Sequence, residues 1–226
     1  AIFAGDDMRE AMRRDGLIAQ AATPVMPGAD QRESPRFALL MRAAKLACKQ
    51  GEFMCVVRDA SHSGVNIKLF HPLPETEYLT LEFPNGDRHQ LELVWQEGDR
   101  AGLRFAQAAD IERLLEGPTR FAKRPIRVNL DISAQLLAGA TASPARVLDL
   151  SQQGAKVICD TRHALGQRVR LAARDLGEIN AKVRWRRDNA YGLVFEDTFQ
   201  FADLAVIVAA LQVGDVKRAG TPAPRR

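Results

Sequence analysis

The chain has 226 residues, 46% of them hydrophobic and 27% charged, with a formal net charge of +4. That length suits one large domain or two small ones, and the composition excludes wholesale disorder and fibrous classes. The charge is uneven: residues 1–112 hold 13 Lys+Arg against 17 Asp+Glu, and residues 113–226 hold 19 against 11. A basic second half attracts anions in principle, yet a solvated basic face is the commoner meaning.

Residues 1–31 read as an adaptor, with a charged, helix-compatible stretch from Asp7 to Gln20 leading into Ala-Ala-Thr-Pro-Val-Met-Pro-Gly, where prolines and a glycine discourage regular structure. The start shows no basic flank ahead of an apolar run, so no signal peptide is expected, and Ala1 suggests removal of an initiator Met. Three cysteines, Cys48, Cys55 and Cys159, are odd in number and lack CxxC spacing, which disfavours a disulfide framework or structural zinc and fits a reducing cytoplasm.

From there the chain repeats itself. Asp59-Ala-Ser-His-Ser-Gly64 recurs as Asp149-Leu-Ser-Gln-Gln-Gly154, and Leu81, Trp95, Gly102 and Phe105 recur 90 residues later as Leu171, Trp185, Gly192 and Phe195. In the first copy Cys55-Val-Val, Val65–Leu69, Leu79–Phe83, Leu91–Trp95 and Gly102–Phe105 predict short strands, separated by turn signals such as Pro84-Asn-Gly-Asp. The second copy predicts strands at Arg146-Val-Leu, Ala155–Ile158, Val169-Arg-Leu, Ala181–Trp185 and Tyr191–Phe195. Short, evenly spaced strands favour closure into a small barrel, so the fold class is mainly β: two tandem antiparallel barrels. Each is followed by a helix, at Ala108 to Glu116 and at roughly Phe199 to Leu211. Leu204 to Leu211 is the longest apolar stretch, far short of the roughly 20 residues that span a membrane. Trp95 and Trp185, on alternating strands, are expected in the barrel cores. Gly117-Pro118 ends the first helix, giving an N-terminal segment 1–31, a first domain 32–117, a second domain 118–213 and a disordered tail 214–226.

Ahead of the first copy stands Arg32-Glu-Ser-Pro-Arg36, and Asp59-x-Ser61-x-x-Gly64 follows. The combination resembles the PilZ family, whose cyclic diguanylate signature pairs RxxxR with [DN]xSxxG. The residue types suit the ligand: guanidinium groups fork onto phosphates or guanine O6/N7 and stack on bases. Asp59 can accept from guanine N1 and N2, Ser61 can donate or accept, and Gly64 allows a tight turn beside the ligand. Singly, each motif equally describes a solvated basic patch or a side-chain-capped turn.

The second copy departs from the signature. Aligning Arg127-Val-Asn-Leu with Arg36-Phe-Ala-Leu puts Lys123 in place of the first arginine, while Arg120 and Arg124 lie three residues too early. Lysine loses the planar fork, so Lys123, Arg127, Asp149, Ser151 and Gly154 form at most a weaker second site. Nucleotide, metal and hydrolase signatures are absent and the four histidines are scattered, so neither catalysis nor a cofactor is expected.

The resemblance implies a cytoplasmic receptor whose Arg32–Arg36 segment folds over the first barrel on binding cyclic diguanylate, and which signals to an unidentified effector protein, with barrel reorientation as one readout and a homodimer left open. The alternatives are a protein-interaction module that has lost nucleotide binding and, less favoured, nucleic-acid binding through the basic second half. The arginines near Trp185 (Arg184, Arg186, Arg187) lack interleaved exposed aromatics, which counts against the last.

Overall fold

The structure is a computed structural model that describes residues 41–73, 76, 78–110, 114 and 125–219, with side chains described as far as Gln212. The segment 1–31, the clamp residues Arg32 and Arg36, Lys123, the Gly117-Pro118 junction and the end of the tail lie outside the described residues.

Twelve strands among the described residues form two closed antiparallel barrels. The first comprises β1 (Arg42–Cys48), β2 (Gly51–Ala60), β3 (Gly64–Lys68), β4 (Leu79–Glu82), β5 (Arg88–Glu97) and β6 (Arg100–Phe105), in the order β1-β2-β3-β6-β5-β4. Pairing of Leu46 with Leu81 closes β4 onto β1, leaving no free edge. The second comprises β7 (Val128–Ala138), β8 (Thr141–Ser151), β9 (Gly154–Cys159), β10 (Arg168–Ala173), β11 (Gly177–Arg187) and β12 (Ala190–Phe195), in the equivalent order. The ten strands expected from alternation are present. The opening strand of each barrel, β1 and β7, was not among them.

A helix, α1 (Phe201–Ala219), follows the second barrel. It overruns the expected stop near Leu211 and takes in six residues, 214–219, assigned from sequence to a disordered tail. One interior glycine, Gly214, costs a helix only about 1 kcal/mol against alanine, too little to end it. After the first barrel, Ala108 to Asp110 are not helical; Leu114 is, its amide donating to the Asp110 carbonyl, and the rest of that expected helix lies outside the described residues. Among the described residues no helix is long and apolar enough to cross a membrane.

The two barrels share a packed junction. On β2, Phe53 and Cys55 point into their own barrel, while Met54, fully buried between them, packs into the core of the second. Strand alternation requires neighbours to face opposite ways, so three buried residues in a row mean that both faces of β2 are covered. Helix α1 serves both cores: Leu204, Ala205, Val208 and Leu211 join the second and Ala209 joins the first.

Polar groups at this junction are matched. Lys45, 6% exposed, pairs with Glu52 at 3.0 Å and with Glu82 at 3.4 Å. Glu52 accepts hydrogen bonds from the backbone amide of Asn129 (2.7 Å) and its side-chain Nδ2 (2.9 Å) on the second barrel. Gln212 of α1 donates to the Glu52 carbonyl at 2.7 Å. It sits against Gly51, whose φ of 134° and closeness to the amide exclude any side chain there.

Candidate functional site

The two copies of Asp-x-Ser-x-x-Gly occupy the β2–β3 and β8–β9 hairpins, and much of the motif serves the hairpin itself. In the first, the Ser61 amide donates to the Gly64 carbonyl (2.8 Å) and the Gly64 amide donates to Ser61 Oγ (3.2 Å). In the second, Ser151 Oγ donates to the Gly154 carbonyl at 3.1 Å, and Ser151 is fully buried. The glycine has a different cause from the one the sequence suggests. Neither Gly64 nor Gly154 has positive φ; instead a Cβ on Gly64 would meet the Leu103 carbonyl at 2.3 Å, and one on Gly154 the Leu193 carbonyl at 2.1 Å. The constraint is the neighbouring strand's backbone.

Asp59 and Asp149 sit just past β-bulges, where the register shifts between Val57 and Asp59 and between Val147 and Asp149. Directly paired residues show their side chains on one face of a sheet, and the pairings define a row across the outside of the first barrel: Asp59 opposite Asn66, Asn66 opposite Gly102, Gly102 opposite Trp95. At a strand spacing of ~4.8 Å the row is roughly 14 Å long. The second barrel repeats it as Asp149, Lys156, Gly192 and Trp185.

The tryptophans are therefore not core residues, contrary to expectation. They are 39% and 42% exposed. A bulge between Leu93 and Trp95, and another between Val183 and Trp185, inserts one residue and turns the indole from the inner face to the outer. Each ring lies against the bare backbone of its glycine: a Cβ on Gly102 would fall 2.1 Å from Trp95 Nε1, and one on Gly192 1.9 Å from Trp185 Nε1.

Beyond this row the two faces diverge. The first carries Arg104, exposed and paired in register with Gly64, where the second has Val194 opposite Gly154. Asn66 presents a buried Oδ1 with no hydrogen-bond partner, an acceptor suited to a ligand N–H. In the second barrel Lys156 replaces Asn66, and Arg127 Nη1 lies 2.6 Å from Asp149 Oδ1. Of the predicted residues, the structure thus brings together Asp59, Ser61 and Gly64 on one barrel, and Arg127, Asp149, Ser151 and Gly154 on the other. Asn66, Arg104 and Trp95 were missed; Asn66 was legible as the residue two beyond Gly64, on the same face of the strand.

A family model for the PilZ domain matches residues 30–117 and again 118–212. The chain belongs to the PilZ domain family. Its two PilZ domains account for the duplicated hairpin motif and the duplicated barrel. No curated protein sequence matches the chain. Among solved structures, the PlzA protein of Borreliella burgdorferi in complex with c-di-GMP is 13% identical, covering 74% of this chain and 86% of that one, at a TM-score of 0.31. YcgR of Escherichia coli in complex with c-di-GMP is also 13% identical (79% and 87% covered, TM-score 0.30), and the Bacillus subtilis inhibitor of motility, MotI/DgrA, is 12% identical (80% and 100% covered, TM-score 0.34). At these TM-scores the likenesses add nothing to the PilZ assignment.

Proposed function

We propose that this PilZ protein is a c-di-GMP receptor, not an enzyme, that binds the nucleotide on the outer face of its first barrel and thereby regulates a partner protein, in the cytoplasm. The observation that carries the reading is the composition of that face: Asp59, the orphaned Asn66 acceptor and the half-exposed Trp95 in one row, with Arg104 beside Gly64. Asp59 and Asn66 offer acceptors to guanine N–H groups, Trp95 a stacking surface, and Arg104, which stands opposite Glu92 without an ion pair among the described residues, a cation for phosphate. Arg32 and Arg36, with Ser61 and Gly64 holding the hairpin, complete the proposed site from the clamp segment. Support for that clamp comes from the second barrel, where Arg127, the counterpart of Arg36, reaches the motif aspartate.

With Lys123 in place of an arginine and Lys156 in place of Asn66, the second PilZ domain acts in this reading as scaffold. The packed junction argues against barrel reorientation as the signal: separating the barrels would expose Met54 and strip Glu52 of its two Asn129 donors. The signal passes instead through the clamp segment and the surface around it.

Isothermal titration of c-di-GMP into the full chain tests this, with Arg32→Ala, Asp59→Ala and Asp149→Ala variants alongside. Loss of binding with the first two and retention with the third is the expected result. Silence of the unsubstituted protein, with the chain folded by circular dichroism, overturns the receptor reading and leaves a protein-interaction module; equal loss with Asp149→Ala means two working sites.

A further inference from the structure

The sequence argued against nucleic acid on the ground that the arginines of the second domain lack exposed aromatics among them. The structure removes that ground. Because of the bulge after Val183, Arg184, Trp185, Arg186 and Arg187 are all exposed, and the indole lies flat on Gly192. Its outer face is a platform fixed from behind by backbone.

Around that platform cations predominate. Glu196 is paired with Arg168 and Lys182, Glu178 with Arg170, and Asp149 with Arg127. That leaves, among the described residues, Asp188 in the turn after Arg187 and Asp160 beside Asn189 as the nearby acids against Lys156, Arg184, Arg186 and Arg187. Among the described residues Lys156, Arg184 and Arg187 have no ion pair. Opposite Trp185 and Arg187 across β12 stand Gly192 and Ala190, which neutralise nothing. The equivalent side of the first barrel differs, since Glu92 and Glu97 face Arg104 and Arg100 there. Exposed cations flanking a rigid aromatic face are what a flexible polyanion with stackable bases requires: phosphates meet the guanidinium and ammonium groups, and an unpaired base meets the indole. A duplex, with its bases already stacked, uses only the first of these.

We propose that the outer face of the second barrel, centred on Trp185 with Lys156, Arg184 and Arg187, binds single-stranded nucleic acid. This function is separate from nucleotide reception on the first barrel and stands or falls independently of it.

Fluorescence anisotropy of a labelled oligothymidylate, titrated with the full chain between about 50 mM and 200 mM salt, tests the proposal. Binding should weaken steeply with salt. The Arg184→Glu/Arg187→Glu variant, altered only at exposed positions, should lose at least about tenfold and flatten the salt slope by roughly 0.7 for each phosphate contact removed. Trp185→Ala should lose about 5- to 100-fold for the single strand and leave any duplex binding unchanged. No binding at the lowest salt overturns the proposal. So does a duplex bound as tightly as the single strand with Trp185→Ala silent, or binding confined to phosphatidylserine vesicles, which would make the face a mere electrostatic patch.

Discussion

Trp95 rests on Gly102, close enough that a Cβ on the glycine would sit 2.1 Å from the indole Nε1. The clash would fall on a half-exposed ring and not on backbone, so Gly102→Ala should push the indole off its seat at little cost to the barrel. If Trp95 stacks on the proposed ligand, both Gly102→Ala and Trp95→Ala should weaken c-di-GMP binding by titration calorimetry, the latter by about 5- to 100-fold, while thermal midpoints move little. Unchanged affinity in both variants would remove Trp95 from the site.

Gly64 and Gly154 should behave differently from Gly102. Their missing Cβ would strike a neighbouring strand's carbonyl, 2.3 Å and 2.1 Å away, and backbone cannot swing aside. Gly64→Ala and Gly154→Ala should each destabilise the chain by about 1–3 kcal/mol or more, read as a lower denaturant midpoint with or without ligand. A substitution at Gly64 that abolished binding while leaving the midpoint untouched would show the glycine to be a ligand contact instead.

The contrast among these glycines marks how far the sequence could be read. The 90-residue offset exposed the duplication, and alternation exposed ten strands, because both are local or periodic signals. β1 escaped because its pattern is not plain alternation: Ala44, Lys45 and Leu46 are buried in succession, Lys45 by its ion pairs at the junction. β7 was legible by the same rule as the ten, since Val128, Leu130 and Ile132 alternate with exposed Asn129, Asp131 and Ser133. The tryptophans were assigned to the wrong face because a bulge shifts the phase by one residue, and Leu91, Leu93 and Trp95 look continuous without it. Asp59, Ser61 and Gly64 were found from their motif. Arg104 and Trp95 join them only through cross-strand register, which no linear spacing encodes.

Acid should weaken the fold through its histidines. His163 is 3% exposed, with Nε2 3.7 Å from Cys159 Sγ and its ring edge-on to Tyr191, and burial lowers its pKa. His71 is shifted the same way, mainly by burial and partly offset by its hydrogen bond to Pro72. A group whose folded pKa lies below the unfolded value takes its proton first in the unfolded chain. Its contribution is whole above about pH 6.5 and is lost as pH falls toward the folded pKa. The melting temperature should therefore drop from about pH 7.5 to about pH 5.5, and His163→Gln should flatten that dependence whatever it does to the absolute midpoint. A slope identical in the variant would assign the acid sensitivity elsewhere.

The junction between the barrels should make them unfold together. Met54 contributes to a core that belongs to the other barrel, so Met54→Ala should cost about 2–5 kcal/mol as for any buried cavity. Glu52→Ala removes the partner of the buried Lys45 and the acceptor of both Asn129 donors at once. Leaving a buried charge with less compensation commonly costs about 3–5 kcal/mol, here moderated because Glu82 still lies 3.4 Å from Lys45. Calorimetry should show one transition for the unsubstituted chain and, in Glu52→Ala, either a lower single transition or two separated ones as the barrels uncouple. Two transitions already present before substitution would mean that the junction does not couple the barrels, and barrel reorientation would return as a route for the signal.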